Sequence, residues 1–307
     1  MTLTQLEYIV AIADFNSFSK AADHCCVTQP GLSIQITNLE DELQMSLFDR
    51  KSKPIVPTSY GEEIIKQARI ILNEVSNLKA LSKGYGTQIS GNINVGIIPT
   101  VAPYLVPKFL SNLNKKYPEL QVIISELTTE QIKQQIKEGK IDLGILVTPL
   151  NVDSLNEIPL YYEELLLFSN YYSTKNEIAK EIKPDLLWLL EEGHCLSNQI
   201  NFICNLRNLK NKNSNFVYKS GSLETIVRLA NDSNAQTIIP LMVLDYLPQE
   251  IKQKTFEILP AKPFREVSLI HNKSFIRKAV LKAIQEEILT CIPDNWKSKM
   301  ERNIIPI

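Results

Sequence analysis

The spacing of apolar residues changes once along this 307-residue chain, and that change limits the fold more than any other feature. Through about residue 82, apolar side chains recur every three or four residues, which is typical of amphipathic helices. After residues 83–87, which include Gly84 and Gly86, strand-like and helical patterns alternate. We therefore expect a helical N-terminal module and an α/β C-terminal module, because a chain of this length usually forms more than one domain.

The first 58 residues contain the signals of three short helices. Each helical pattern is preceded by a polar residue that can cap it, at Thr2 or Thr4, at Ser17 and at Thr28. We place the third helix at about residues 29–43, where Pro30 suits the first turn because the backbone N–H it lacks would have no partner there. The spacing predicts a helix-turn-helix.

The start of the third helix presents small side chains that the major groove of DNA can receive. We assign base reading to this end, through Gln29, Pro30, Ser33 and Thr37. The cationic turn that follows predicts a wing, where Arg50 and Lys53 contact phosphates. The alternative is a plain helical packing domain, and charge does not decide between them, because acidic side chains outnumber basic ones in residues 1–58.

A heptad-like seam follows in residues 59–87. Steps of four and three residues keep one helix face toward a partner helix. We assign this seam to dimerisation through Ile64, Ala68, Ile71, Val75 and Leu78. The alternative is an amphipathic helix that packs on its own chain.

Composition excludes several classes of protein. No apolar run approaches the length of a membrane span, and the first residues lack the pattern of a secretory signal, so we expect a cytoplasmic protein without a membrane partner. Five irregularly spaced cysteines do not form the framework of a disulfide-rich secreted domain. Three histidines and no CxxC pair give no zinc set, and we expect neither a metal nor a cofactor.

The C-terminal module alternates strand and helix patterns. Strand-like runs at 93–97, 121–124 and 141–147 are separated by helical ones, which predicts a parallel α/β sheet with ligands at the strand ends. Thr100 and Thr129 lie at such ends. We trace a first lobe over 88–160 and 267–307 and a second lobe over 161–266.

The N-terminal motifs closely resemble those of LysR-type transcriptional regulators. They include Phe18-Ser19-Lys20-Ala21-Ala22, Thr28-Gln29-Pro30 and Leu47-Phe48-Asp49-Arg50. The resemblance implies a mainly α winged helix-turn-helix, a linker helix that pairs two subunits, and an α/β two-lobed regulatory domain like that of periplasmic binding proteins. It also implies a homodimer, further paired into a homotetramer, that acts on double-stranded promoter DNA as an activator and not as an enzyme.

A second resemblance involves Gly193-His194-Cys195-Leu196 and Cys204, which are similar to the peroxide-sensing branch of that family. It implies that hydrogen peroxide oxidises Cys195 and that Cys204 resolves the product as a disulfide. It also implies a peroxide pocket formed by Thr100, Thr129, His194 and Arg265. In that pocket Arg265 would favour the thiolate.

Two features of this region affect how such a switch would work. Cys204 lies nine residues after Cys195, so we expect residues 196–203 to refold when a disulfide forms. The chain has Ser197 and Asn198 where that branch carries an Arg-Asp pair, which puts the speed of oxidation in question.

Two alternatives remain open for the C-terminal module. A small metabolite held between the lobes would make both cysteines incidental. A thiol peroxidase would use Cys195 to turn over peroxide, but a DNA-reading module argues against it. The other cysteines, Cys25, Cys26 and Cys291, are expected to be structural.

Overall fold

The computed structural model describes residues 1–82, 89–170, 182–183, 186–190, 195–203, 222–233, 235–299 and 302–306. Contacts divide the chain into two compact units, residues 1–88 with 137–140 and residues 89–136 with 141–307. Among the described helices, none combines the length and apolar character needed to cross a membrane.

Three capped helices form the first part of the N-terminal unit: α1 (Leu3–Phe15), α2 (Phe18–His24) and α3 (Gln29–Leu43). Thr2 and Gln5 form a reciprocal capping box at α1, and Ser17 accepts a hydrogen bond from the backbone of Lys20 at α2. Thr28 accepts one from the backbone of Gly31 at α3. The caps predicted at Thr2, Ser17 and Thr28 are therefore confirmed.

The predicted wing is present as a two-stranded hairpin. Strands β1 (Phe48–Asp49) and β2 (Val56–Pro57) pair antiparallel, and the cationic residues 50–53 lie in the connection between them. The helices and this hairpin share one core, which includes Leu6, Ile9, Ile12, Phe18, Leu32, Ile36, Leu39 and Phe48.

Helix α4 (Ser59–Ser82) packs against α1 over its first half. Ala68 is 1% exposed and belongs to the core of the N-terminal unit, and Ile64 and Ile71 pack against the same core. The prediction that Ala68 faces a partner helix is therefore wrong, because its own chain covers it. Further along α4, Val75 is half-buried and Leu78 is 67% exposed.

The second unit begins with alternating strands and helices. These are β3 (Gly91–Ile97), α5 (Ala102–Lys116), β4 (Leu120–Glu126), α6 (Thr129–Lys137) and β5 (Leu143–Thr148). Strand β3 pairs in parallel with both β4 and β5. All six residues of β5 are buried, as expected for a strand covered on both faces.

The rest of this unit forms the second lobe and the return to the first. Its elements are β6 (Leu155–Ser169), α7 (Cys195–Ile203), α8 (Leu223–Asp232), β7 (Gln236–Pro240), a 3-10 turn (Leu241–Tyr246), α9 (Gln249–Lys252), β8 (Thr255–Glu257), β9 (Pro263–Asn272), α10 (Lys278–Thr290) and β10 (Asn303–Ile304).

Two long antiparallel strands connect the lobes. Strand β9 pairs with β5 and with β6, and β6 continues into pairing with β7 and β8. The predicted parallel pairing of β3, β4 and β5 is confirmed, and β9, which returns to the first lobe, adds to β5 in the opposite direction. This pairing places Glu163 of β6 opposite Arg265 of β9.

Candidate functional site

The ends of two parallel strands bring two of the predicted pocket residues to one edge of the sheet. Ile97 and Glu126, the last residues of β3 and β4, are partners in the parallel register. Thr100 lies three residues beyond β3, and Thr129 begins α6 three residues beyond β4. Both threonines are buried.

Arg265 joins Thr100 directly. Its Nη1 donates to Thr100 Oγ1 at 3.0 Å, and its Nη2 donates to the carbonyl oxygen of Thr100 at 3.1 Å. A threonine hydroxyl that accepts a hydrogen bond still has its own proton to donate. Thr100 can therefore offer a donor to a small oxygen ligand while Arg265 fixes its orientation.

The charge of Arg265 is balanced by Glu163, a residue that the sequence did not indicate. Arg265 Nε donates to Glu163 Oε1 at 2.7 Å, and Nη2 lies 2.5 Å from the same oxygen. Glu163 Oε2 accepts from the backbone N–H of Met242, at the start of the 3-10 turn. Both side chains are about 1% exposed, and a buried ion pair of this kind needs such additional hydrogen bonds to offset desolvation.

The charges of this ion pair also act on the pKa of two nearby tyrosines, Tyr104 and Tyr161. Burial, followed by the charge of Glu224, raises the pKa of Tyr104 to about 12. Burial also raises the pKa of Tyr161, whose hydroxyl has no hydrogen-bond partner within the described part of the chain. Both phenols therefore stay protonated at neutral pH.

Helix α7 begins at Cys195, the first of the two predicted redox cysteines. The structure describes only the backbone there, and His194 and Cys204 lie outside the described residues. The helix is anchored by Leu196 and Ile200, which are almost fully buried.

Two polar side chains of α7 also hold it in place. The hydroxyl of Ser197 donates to the carbonyl oxygen of Leu190 at 2.7 Å, and Gln199 Nε2 donates to that of Ile305 at 3.2 Å. Ser197 and Gln199 are both buried. Ser197, which stands in place of the arginine of the peroxide-sensing branch, thus supplies a hydroxyl that supports the helix.

The length of α7 separates the two predicted redox cysteines. At about 1.5 Å of rise per residue, the Cα atoms of Cys195 and Ile203 are roughly 12 Å apart. Because consecutive Cα atoms are about 3.8 Å apart, an intact α7 keeps any residue that directly follows it at least roughly 8 Å from Cys195. A disulfide needs Cα atoms within about 7 Å, so the two cysteines cannot bond while α7 is intact.

The predicted DNA-reading residues lie together on α3 and the wing. Gln29, Pro30, Thr37 and Lys53 are exposed, and Ser33 is half-buried. Gln29, Ser33 and Thr37 follow one another at steps of four residues and share one side of α3, as expected if this helix enters the major groove.

Arg50 has partners within its own chain. Its Nη2 lies 2.6 Å from Glu40 Oε2 and 3.2 Å from Thr37 Oγ1, and its guanidinium stacks over the ring of Phe18. Glu40 also accepts from the backbone N–H of Leu47. Arg50 therefore holds the wing against α3, and the phosphate contact expected of it stays a prediction.

Comparison with known proteins identifies both units. Residues 3–62 match the model of the bacterial regulatory helix-turn-helix protein of the lysR family, and residues 86–290 match that of the LysR substrate binding domain. The hydrogen peroxide-inducible genes activator of Haemophilus influenzae is 31% identical over 98% of this chain and 99% of that protein. The DNA-binding transcriptional dual regulator OxyR of Escherichia coli is 33% identical over 88% of this chain and 89% of that protein.

Solved structures agree with this assignment. A full-length OxyR variant from Pseudomonas aeruginosa is 26% identical, with a TM-score of 0.80 over 98% of this chain and 99% of that one. A Corynebacterium glutamicum OxyR mutant with hydrogen peroxide bound is also 26% identical, with a TM-score of 0.58 over 94% and 92%. The chain belongs to the LysR family of bacterial transcriptional regulators.

Proposed function

We propose that this protein is a peroxide-responsive DNA-binding regulator whose switch is a disulfide between Cys195 and Cys204. The buried contact of Arg265 with Thr100 is the observation that carries the proposal, because it orients a hydroxyl donor at a strand end where a small ligand can bind. The named relatives are peroxide-responsive regulators, and one related structure holds hydrogen peroxide.

The chemistry requires only peroxide and the two thiols. The Cys195 thiolate attacks one peroxide oxygen, the O–O bond breaks, and the departing hydroxide takes a proton and leaves as water. The Cys204 sulfur then attacks the sulfenic acid, which forms the S–S bond and releases a second water. Thr100, Thr129 and His194 would orient the peroxide, and Arg265 would stabilise charge on the departing oxygen.

The position of Cys195 at the first residue of α7 favours this chemistry. Unpaired N–H groups at a helix N-terminus stabilise negative charge, and thiolates are favoured there. Because Glu163 already balances the charge of Arg265, we assign thiolate stabilisation mainly to the helix terminus.

Disulfide formation would switch the regulatory unit by unfolding α7. Bringing the sulfurs together removes Leu196 and Ile200 from the core, at about 1.5–3 kcal/mol for each side chain. It also breaks the hydrogen bond between Gln199 and Ile305, whose backbone N–H is bonded to Phe264 beside Arg265. The change at α7 thereby reaches the strand that joins the two lobes.

We further propose a homodimer, paired into a tetramer on promoter DNA, that binds through the distal half of α4. Leu78 is exposed and Val75 is half-buried in the single chain, so these two residues are available to a second copy. Two α3 helices in one dimer would match two half-sites of a two-fold related DNA site. We expect the dimer to act in the cytoplasm as an activator and not to turn over peroxide as an enzyme.

Thiol mapping tests the proposal. Full-length protein is treated with one equivalent of hydrogen peroxide and digested, and the state of each cysteine is read by mass spectrometry. We expect a Cys195–Cys204 disulfide in the wild type, an oxidised Cys195 without a bridge in Cys204→Ser, and no response in Cys195→Ser. A small metabolite that changes DNA binding under anaerobic conditions, in the wild type and in Cys195→Ser alike, would instead establish the ligand-binding alternative.

A further inference from the structure

One solvent-exposed side of helix α3 carries apolar side-chain groups. Pro30, Ile34 and Thr37 follow one another at steps of four and three residues, so they share one side of the helix. All three are exposed, and Ile34 keeps 60% of its surface accessible. Ile34 does not belong to the core of the N-terminal unit, although it is one of the largest aliphatic side chains of the helix.

The hydroxyl proton of Thr37 is not available for reading bases. It donates to the carbonyl oxygen of Ser33 at 3.1 Å and accepts from Arg50 at 3.2 Å. What Thr37 offers to a ligand is its methyl group. We call Pro30, Ile34 and this methyl group the apolar stripe.

The stripe lies where the helix of a helix-turn-helix meets DNA. The second helix of this motif enters the major groove by its N-terminal end, and Pro30 and Ile34 lie in the first half of α3. Thymine is the only base that presents a methyl group in that groove. An aliphatic side chain at this position therefore has one natural apolar partner on the DNA.

We propose that Ile34, supported by Pro30 and the methyl group of Thr37, reads the 5-methyl group of thymine and selects sites with thymine at a fixed position. The proposal rests on DNA binding by α3 and is independent of the peroxide response. It assigns part of the sequence preference to apolar contact, whereas Gln29 and Ser33 would supply hydrogen bonds.

Exchanging thymine for uracil tests the contact, because it removes only the methyl group. Tight-binding duplexes are selected with full-length protein from a library with a randomised centre, and each thymine of one selected duplex is replaced in turn by deoxyuridine. We expect affinity to fall about fourfold at one position in each half-site, as for one buried methyl group. The Ile34→Ala variant should bind the parent duplex more weakly and lose this sensitivity, to less than about twofold.

The matched control is Ile123→Ala, which shortens an exposed aliphatic side chain on β4 and should leave DNA binding and its uracil sensitivity unchanged. Alanine suits an exposed helix position, so loss of the α3 fold is not expected in Ile34→Ala. Uracil sensitivity that is absent, or equal in the wild type and Ile34→Ala, would overturn the proposal. A change of oligomeric state in Ile34→Ala without a change in DNA binding would overturn it too, in favour of a protein contact. Failure to select any duplex would contradict DNA binding itself.

Discussion

At the scale of single residues, Arg265 is constrained more tightly than any other predicted site residue whose side chain the structure describes. Its guanidinium contacts Glu163 and both the hydroxyl and the carbonyl oxygen of Thr100, and water has almost no access to the ion pair. Removing one partner from such a pair leaves the other charge buried and uncompensated, whereas removing both can be nearly neutral. The contribution of this ion pair to stability therefore depends on both residues together and cannot be assigned to either one alone.

This coupling predicts non-additive losses of unfolding free energy in a double-mutant cycle. Arg265→Met and Glu163→Leu should each lower the free energy of unfolding by about 3–5 kcal/mol. The double variant should lose clearly less than the sum of the two, because no buried charge remains unpaired. Urea denaturation of the full chain measures all three, and single losses below about 1 kcal/mol or additive losses would contradict the ion pair.

Substitutions of Arg50 and Lys53 should have different effects, the first on folding stability and the second on DNA binding. Arg50 is bonded within its own chain and is partly exposed, so Arg50→Ala should cost up to about 1 kcal/mol of stability. Lys53→Ala should leave stability unchanged and lower the salt dependence of DNA binding by about one unit of slope. Urea denaturation measures the stability of both variants, and titration of a selected duplex at several salt concentrations measures the slope. A stability loss confined to Lys53→Ala would reverse the assignment.

At this scale the sequence predicted residues that lie on recognisable motifs. Thr100 and Arg265, placed by resemblance, do meet. Glu163 was missed because its role depends on the pairing of β6 with β9, which no local pattern specifies. The available signal was the acidic pair Glu163-Glu164 just before the apolar run 165–168, because a carboxylate that is buried there needs a cationic partner.

At the scale of secondary-structure elements, α7 must be stable enough to hold the reduced state and weak enough to unfold. Buried Leu196 and Ile200 stabilise it, and Ser197 adds a hydrogen bond to Leu190. The chain has the neutral hydroxyl of Ser197 where the peroxide-sensing branch carries an arginine. We therefore expect Ser197 to affect the unfolding of α7 more than the first reaction with peroxide.

This difference can be measured. Ser197→Ala should weaken α7 by about 1 kcal/mol and speed the condensation of oxidised Cys195 with Cys204 about fivefold, while the rate of sulfenic acid formation stays the same. Asn198→Ala, at an exposed position of the same helix, is the control and should change neither rate. Quenched reactions analysed by mass spectrometry give both rates. A slower condensation in Ser197→Ala would show that the hydroxyl assists chemistry and does not hold the helix.

Helix α4 serves two purposes along its length. Ala68 packs into the core of its own unit, whereas Leu78 is exposed. Leu78→Glu should therefore dissociate the dimer with little loss of stability, while Ala68→Glu should unfold the N-terminal unit because it buries an unpaired charge. Sedimentation and thermal unfolding distinguish the two, and a Leu78→Glu variant that stays dimeric at micromolar concentration would place the interface elsewhere.

The helices of the N-terminal unit were predictable because caps and apolar spacing are local signals. Thr2, Ser17 and Thr28 begin helices as their side-chain chemistry requires. The seam on α4 was misread at Ala68 because a heptad pattern has the same form whether it faces a second chain or α1.

At the scale of the whole molecule, the sequence predicted a helical module followed by an α/β module, and the order of elements agrees. It did not predict the direction of β9, because strand periodicity carries no information on whether neighbours run parallel. That direction matters for function. Strands β9 and β6 run antiparallel from one lobe into the other, and this places Arg265 in contact with Thr100, just beyond the end of β3.

The central claim is that one disulfide changes how the protein engages DNA. Full-length protein is mixed with one equivalent of hydrogen peroxide, and samples taken over time are divided between cysteine mapping and affinity for a selected duplex. We predict that the Cys195–Cys204 disulfide and the change in DNA affinity appear with the same time course, and that both reverse on reduction. A change in DNA affinity while both cysteines remain free would contradict the account.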